Sequence, residues 1–381
     1  MKRLAFALLL GGCFPYTEYT DSRPAPHLRQ IGEARILDMK VNLFKQPGLC
    51  PGKEGKLYAN ATVQWPGAQP VPRSIGEDVD SLQPSSFTVS GPLIKGDEQA
   101  HLFPSPDVLA SVDTGFETDI VYKPNSRFSF HEVFPPEYSC FDGYYAEGGA
   151  GGGGFSGNSG YSGGAGENGN SGGNGQPGQR GNPGGRIEAF VTVVSTRFYP
   201  RLFAVRVNDT FFLAPADRPL VFDAAGGVGG VGGSGGNGGN GGDQRTKEVT
   251  ETDDNNNSHT VRYGQGPAGN GGNGGNGAVG GDGGPGGSIV VTYDTVFPEL
   301  RNFVQVNVNG GAPGDGGGAG GGGEGGSTNA DKGAQRGNPG GSGQQGYAGR
   351  QGPEGRASVH AGAVGSMFKN LPGITVLGRG R

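Results

Sequence analysis

Gly148-Gly149-Ala150-Gly151-Gly152-Gly153-Gly154-Phe155-Ser156-Gly157-Asn158-Ser159-Gly160 opens a run in which every third residue is glycine, unbroken for thirteen triplets to Arg186. The period returns at 226–243, 271–288, 311–328 and 337–357, as six, six, six and seven triplets. With three residues per turn, each third glycine leaves a bare edge on which a neighbouring chain can lie. Collagen and the polyglycine II bundle both use such an edge. Collagen is also rich in proline, whereas these triplets hold only Pro177, Pro183, Pro285, Pro313, Pro339 and Pro353. Many read Gly-Gly-X with X an Asn, Asp or Ser, as in Gly235–Asn240, which bares two faces and turns a polar side chain to water. The expectation is a polyglycine II bundle, with flexible linkers or a collagen trimer as alternatives. Glycine loses the most backbone entropy on folding and buries no side chain, so inter-helix backbone hydrogen bonds must supply the stabilisation.

The flanks give the compartment. Met1-Lys2-Arg3, the apolar run Leu4–Leu10 and Gly11-Gly12-Cys13 read as a signal peptide over residues 1–12. The apolar run is too short to span a bilayer. Removing residues 1–12 leaves 28 basic against 35 acidic residues, a net charge of −7 without basic clusters, which argues against nucleic-acid binding. Cys50 and Cys140 then form an even pair in an oxidising compartment, with two free thiols as the alternative.

Residues 13–30 read as a tether and 31–147 as a β-sandwich domain. Leu37, Met39, Val41 and Leu43 alternate with polar residues, as do Leu57, Ala59, Ala61, Val63 and Trp65. Further short strands are expected at 87–90, 108–112, 116–122 and 127–134. Helix signals are nearly absent. Beyond 147 we read three Gly-rich modules, 148–225, 226–309 and 310–381, each a Gly block leading into a strand pair. The pairs are 187–195 with 202–207, 289–295 with 303–308, and 357–364 with 374–377. Gln179–Gly185 recurs letter for letter at Gln335–Gly341. An 18-residue run would reach about 56 Å at 3.1 Å per residue, far longer than a strand, so each block is expected to double back into segments of about nine residues. Val191, Val193, Val291, Tyr293, Val304 and Val306 would form an apolar layer beside the glycine. The fold class is thus mostly β plus polyglycine II, an antiparallel sandwich followed by repeated Gly-rich modules.

Catalytic and metal motifs are weak. Gly-x-Ser-x-Gly occurs at Gly160–Gly164 and Gly232–Gly236, without the strand and helix a nucleophile elbow needs. Asp253, Asn255 and Asn257 begin like a calcium loop, but Ser258 and Gly264 stand where Gly and Glu are required. The five histidines form no i, i+4 pair. No catalytic residue, metal site or cofactor is expected. Phe155, Tyr161 and Tyr347 are the candidate ligand contacts: a large ring among glycines either fills a gap at a turn or stacks on a ligand.

Leu10-Gly11-Gly12-Cys13 resembles the lipobox of bacterial lipoproteins, and Phe14 after the cysteine implies export to the outer membrane. The resemblance makes Cys13 the lipidated first residue of the mature chain. The Gly-Gly-Asn triplets resemble those of Gly-rich surface lipoproteins of predatory and gliding Gram-negative bacteria. They are similar also to the Gly-rich sandwich of phage tail-tip adhesins and to a Gly-rich insect antifreeze. Of these, the first group alone fits the lipobox. The resemblance implies a non-enzymatic outer-membrane lipoprotein, facing the periplasm or the cell surface, that serves as an adhesin or envelope component. Its partners would be the membrane, through the lipid, and a surface glycan or envelope protein. An ice- or hydration-binding surface and an enzyme acting on envelope glycans are the alternatives.

Overall fold

The computed structural model describes residues 30–378 apart from Glu77 and Val79. The expected signal peptide, Cys13 and all but the last residue of the tether lie outside the described residues. Eight strands build the N-terminal domain: β1 (Arg35–Leu43), β2 (Gly55–Gln64), β3 (Val71–Ser74), β4 (Phe87–Gly91), β5 (Ile94–Gly96), β6 (His101–Pro104), β7 (Phe116–Tyr122) and β8 (Ser129–Phe134). They form one nearly closed antiparallel sheet in the order β1-β2-β6-β5-β4-β7-β8, with β3 on β2. The alternation read from the sequence is the burial pattern: Leu57, Ala59, Ala61 and Val63 are buried with Trp65, Phe116 and Ile120 in one core. Val108–Ser111, expected as a strand, is a single turn of helix, α1. The reason is local. The Asp107 side chain caps it, accepting from the Leu109 N–H (3.0 Å) and Ala110 N–H (3.3 Å).

The remaining strands are β9 (Gly143–Tyr145), β10 (Arg186–Ser195), β11 (Leu202–Val207), β12 (Thr210–Pro215), β13 (Leu220–Asp223), β14 (Thr246–Thr252), β15 (Ser258–Gly264), β16 (Ser288–Asp294), β17 (Val304–Asn307), β18 (Arg356–Gly362) and β19 (Thr375–Val376). One sheet has the order β12-β11-β10-β16-β18, with β19 on β10; another has β17-β13-β9. β10, β16 and β18 are mutually parallel, as are β9, β13 and β17. Val191, Val193, Val291 and Val304 are buried in the core built from these two sheets, with Tyr293 and Val306 packed against it. Only one expected strand pair is a hairpin, β10 with β11. β16 and β17 belong to different sheets, and β19 pairs with β10 rather than β18. Each outward Gly segment leaves one sheet and the segment that follows it returns the chain to the other, so strands adjacent in one sheet are far apart in sequence.

The Gly-rich runs form six segments, numbered here 1 (148–165), 2 (167–185), 3 (225–243), 4 (268–287), 5 (309–327) and 6 (335–355). One N–H in three in segments 1, 5 and 6, and two in three in segments 2, 3 and 4, donate to a carbonyl of a neighbouring segment at 2.7–3.0 Å, for example Gly157 to Ser234 and Gly160 to Asn237. Segments 1, 3 and 5 lie parallel in one layer and 2, 4 and 6 in the other, while successive segments run antiparallel between layers. A hydrogen-bond period of three residues is the period expected of polyglycine II. No block breaks into nine-residue segments, and the 39-residue first block, expected to fold more than once, reverses once, at Gly166 (φ 73°) between segments 1 and 2. The other runs cross straight through, about 56 Å each at 3.1 Å per residue, and so meet their neighbours' carbonyls along the whole length.

Each layer is the continuation of a sheet. Segments 1, 3 and 5 leave β9, β13 and β17, and segments 2, 4 and 6 enter β10, β16 and β18. The register passes through unbroken. Arg186 faces Ser288 in the strands, and the same offset of 102 residues recurs in the Asn168 and Asn270 bond. The offset of 68 links Asn270 to Asn338, as it links β16 to β18.

The number of glycines per triplet reports the number of neighbours. Segment 3 touches segments 1, 2, 4 and 5, and needs two: a Cβ on Gly235 would strike the Gly275 carbonyl, and one on Gly236 the Asn158 carbonyl. Segment 6, at the rim, needs one. The Asn and Asp positions are not simply turned to water. The Asn237 Oδ1 accepts from the Gly321 N–H (2.9 Å), the Asn240 Oδ1 from the Glu324 N–H (2.9 Å) and the Asn273 Oδ1 from the Gly341 N–H (2.8 Å). Each supplies a partner for a backbone donor that the inter-segment ladder leaves over. The seven-residue repeat, by contrast, is not structurally equivalent in its two copies. Gln179–Gly185 ends segment 2 at the strands, and Gln335–Gly341 starts segment 6 at the opposite tip.

The expected Cys50–Cys140 bridge is formed, with Cα atoms 6.4 Å apart. It ties the loop after β1 to the chain entering β9. Three outcomes are expected. Gly236→Ala and Gly275→Ala each lower the melting temperature, at a cost of about 1–3 kcal/mol or more for overpacking. Gly318→Ala and Gly321→Ala, whose Cβ would meet only a side chain at 3.6 Å, are neutral or stabilise by about 0.4–1 kcal/mol. Replacing both bridging cysteines by Ala lowers the urea midpoint, the loop-closure term being about 4–5 kcal/mol in the chain-entropy account.

Candidate functional site

Phe155, Tyr161 and Tyr347 are 76%, 82% and 80% exposed, the three most exposed large apolar or aromatic side chains among the described residues. They fill no gap. Phe155 and Tyr161 occupy the same position of the triplet on segment 1, so they stand on one line. The Gln176 N–H donates to the Phe155 carbonyl (2.8 Å), the Gly173 N–H to Asn158 (2.8 Å) and the Asn170 N–H to Tyr161 (2.9 Å). These bonds place Gln176, Gly173 and Asn170 beside the row at matching heights, along the rim formed by segments 1 and 2. Tyr347 is elsewhere, on the flat outer face of the other layer. There the Gly178 N–H bonds to Val279 and the Gly280 N–H to Tyr347, so Pro177, Val279 and Tyr347 form one cross-rung. The structure thus brings two of the three candidate rings together and separates the third.

The tip of the bundle, far from the strands, holds the richest side-chain chemistry of the Gly-rich region. Segment 3 leaves it into the β14–β15 hairpin, and the 328–334 connection lies beside that hairpin. Gln244, buried there, donates to the carbonyls of Gly266 and Gly333 (2.9 Å), and its Oε1 accepts from the Thr328 hydroxyl and the Gln335 N–H (3.2 Å). Lys332 Nζ meets Glu251 (2.8 Å) and the Tyr263 hydroxyl (3.0 Å), and Tyr263 also donates to Glu251. Glu251 first, then Tyr263, push the Lys332 pKa up to about 12, while Lys332 and Tyr263 hold Glu251 below its usual value. This cluster escaped sequence reading because Glu251 and Lys332 are 81 residues apart and no motif links them.

Other candidates resolve into structural roles. Asp253 closes the hairpin turn, its Oδ1 accepting from the Asn255 N–H (2.9 Å) and Asn257 N–H (2.7 Å), and the Asn257 backbone bond leads in holding its pKa down. Ser162 and Ser234 lie inside straight Gly segments, with no elbow around either. Among the described residues no group of three His, Cys, Asp or Glu side chains is placed to hold a metal ion. Two larger concavities, about 740 and 580 Å³, lie outside the glycine bundle. The second is lined by Tyr138, Tyr199 and Arg201. The Tyr138 hydroxyl is buried without a hydrogen-bond partner, and burial pushes its pKa well up. The Tyr199 hydroxyl donates to the Pro136 carbonyl (3.0 Å).

Comparison with known protein families, curated proteins and solved structures finds no match to this chain. At the tip, Gln244→Ala strips partners from two carbonyls and from a backbone N–H, at about 1–3 kcal/mol for each buried group left unsatisfied. Amide exchange is expected to quicken at 264–268 and 328–337 while the middle of the bundle keeps its protection.

Proposed function

We propose that this chain is a non-enzymatic outer-membrane lipoprotein, anchored through lipid on Cys13, that works at the cell surface as an adhesin or a structural envelope component. The observation that carries the reading is the difference between the two ends of the bundle. At one end, residue 30 leads into the β domain directly after the tether, and the Cys50–Cys140 bridge secures that domain's exit to β9. At the other end, about 56 Å away at 3.1 Å per residue, stand the Gly166 turn, the β14–β15 hairpin and the 328–334 connection. Between them every segment runs straight and is hydrogen-bonded to its neighbours along its length. Such a body acts as a stiff spacer: it holds a tip and a rim of exposed rings away from whatever anchors the other end. No specific observation favours the ice-surface or the glycan-enzyme alternative.

Fractionation and surface labelling test the reading. The wild-type chain is expected in the outer-membrane fraction and open to an impermeant label on intact cells. Cys13→Ser is expected to move it to the soluble fraction. Recovery of the wild type as a soluble, unlipidated periplasmic protein would sink the proposal.

A further inference from the structure

We infer that the rim of segments 1 and 2 is a binding site for an extended, uncharged polysaccharide, with Phe155 and Tyr161 as its stacking platforms. The inference rests on the surface-protein reading above and assigns a ligand class to one part of that surface.

Segment 1 has only two neighbours, segments 2 and 3, so two of its three rows are exposed and one of these lies along the rim beside segment 2. That row carries Phe155, Asn158 and Tyr161. The two rings are six residues apart, about 19 Å at 3.1 Å per residue, which spans several sugar units rather than one. Between them the neighbouring strip of segment 2 offers Gln176, Gly173 and Asn170. The glycine leaves a low saddle at the height of Asn158, and the amides flank it.

Each element suits a sugar chain. A pyranose has an apolar C–H face that stacks on an aromatic ring and a belt of hydroxyls that both donate and accept. Asn and Gln amides match that belt because each carries two donors and an accepting oxygen. No charged residue lies on the stretch between Gln176 and Asn170 on segment 2 or between Phe155 and Tyr161 on segment 1, so nothing selects an anionic chain. The rings stand singly among glycines and amides, without the contiguous apolar patch that a protein partner needs. A straight rim also fits a linear polymer better than a compact ligand. Each ring buries an area of about 150–250 Å² when covered, which at 76% and 82% exposure is still available for binding.

Affinity electrophoresis of the Cys13→Ser chain, in gels containing hydroxyethyl cellulose, dextran, mannan or alginate, tests the inference. At least one neutral polymer is expected to retard the protein, and anionic alginate is not. Phe155→Ala and Tyr161→Ala are each expected to weaken that retardation roughly three- to tenfold. Phe155→Trp should restore it, and Tyr347→Ala, equally exposed but on another face, should leave it unchanged. Melting temperatures of all variants should match the parent, since neither ring is packed. Unchanged binding by the Phe155→Ala, Tyr161→Ala double variant overturns the inference. So does an equal loss with Tyr347→Ala, a salt-sensitive preference for alginate, or no retardation by any neutral polymer. None of these outcomes touches the localisation that tests the surface-lipoprotein reading, so the two can fail separately.

Discussion

The absence of Cβ atoms between the two glycine layers is the constraint on which the rest depends. At each inward-facing position a methyl group would land on a carbonyl of the next segment, well inside contact distance. Remove the methyl, and two chains come close enough for backbone N–H and C=O groups to pair directly between layers as well as within them. Glycine is used here for that approach, not for left-handed backbone: within the six segments no glycine has positive φ, and the one in this part of the chain that turns, Gly166, marks the only reversal inside a Gly run. Hydrogen bonds then do what side-chain burial does elsewhere, offsetting the large entropy that ordered glycine loses.

The same constraint explains why the sheets and the glycine layers share one register. Where inward positions carry Ile187, Val191, Ile289 and Phe222, the two sheets must stand apart, with those side chains filling the space as a core. Where they carry glycine, the layers close until their backbones bond. The chain passes between these regimes without changing its in-layer partner, so the offsets of 102 and 68 residues hold on both sides of the transition. Asn and Asp complete the arrangement. Their side chains accept from a backbone N–H of the adjoining segment that no carbonyl pairs.

Much of this was legible in the residues. The period of three announced the bundle, the Gly-Gly-X triplets announced two bare faces, and the alternation of Leu57 through Trp65 marked the first β domain. The exposed rings at Phe155, Tyr161 and Tyr347 were visible as candidates for the same reason that they are exposed, since glycine neighbours have nothing with which to cover them. Other features were out of reach. Straight passage of segments 3 to 6 depends on a partner of equal length on each side, and the Glu251, Tyr263 and Lys332 cluster depends on two connections meeting at the tip. The Val108–Ser111 turn was misread because a single capping carboxylate on Asp107 outweighed a short apolar pattern.

By itself the sequence determined what each position can tolerate: which residues bring no side chain, which alternate as strands, and which cysteines can pair. These are local properties, set by the presence or absence of a Cβ and by the period along the chain. The tertiary structure decided which segments become neighbours. It sent alternate segments to opposite layers, split one expected hairpin between sheets and gave β19 to β10 instead of β18, put Phe155 and Tyr161 on one rim and carried Tyr347 to a separate face. The physical reason is that glycine segments are nearly interchangeable as partners. Their pairing is chosen by the strands and connections at their ends, and that choice exists only once the whole chain is assembled.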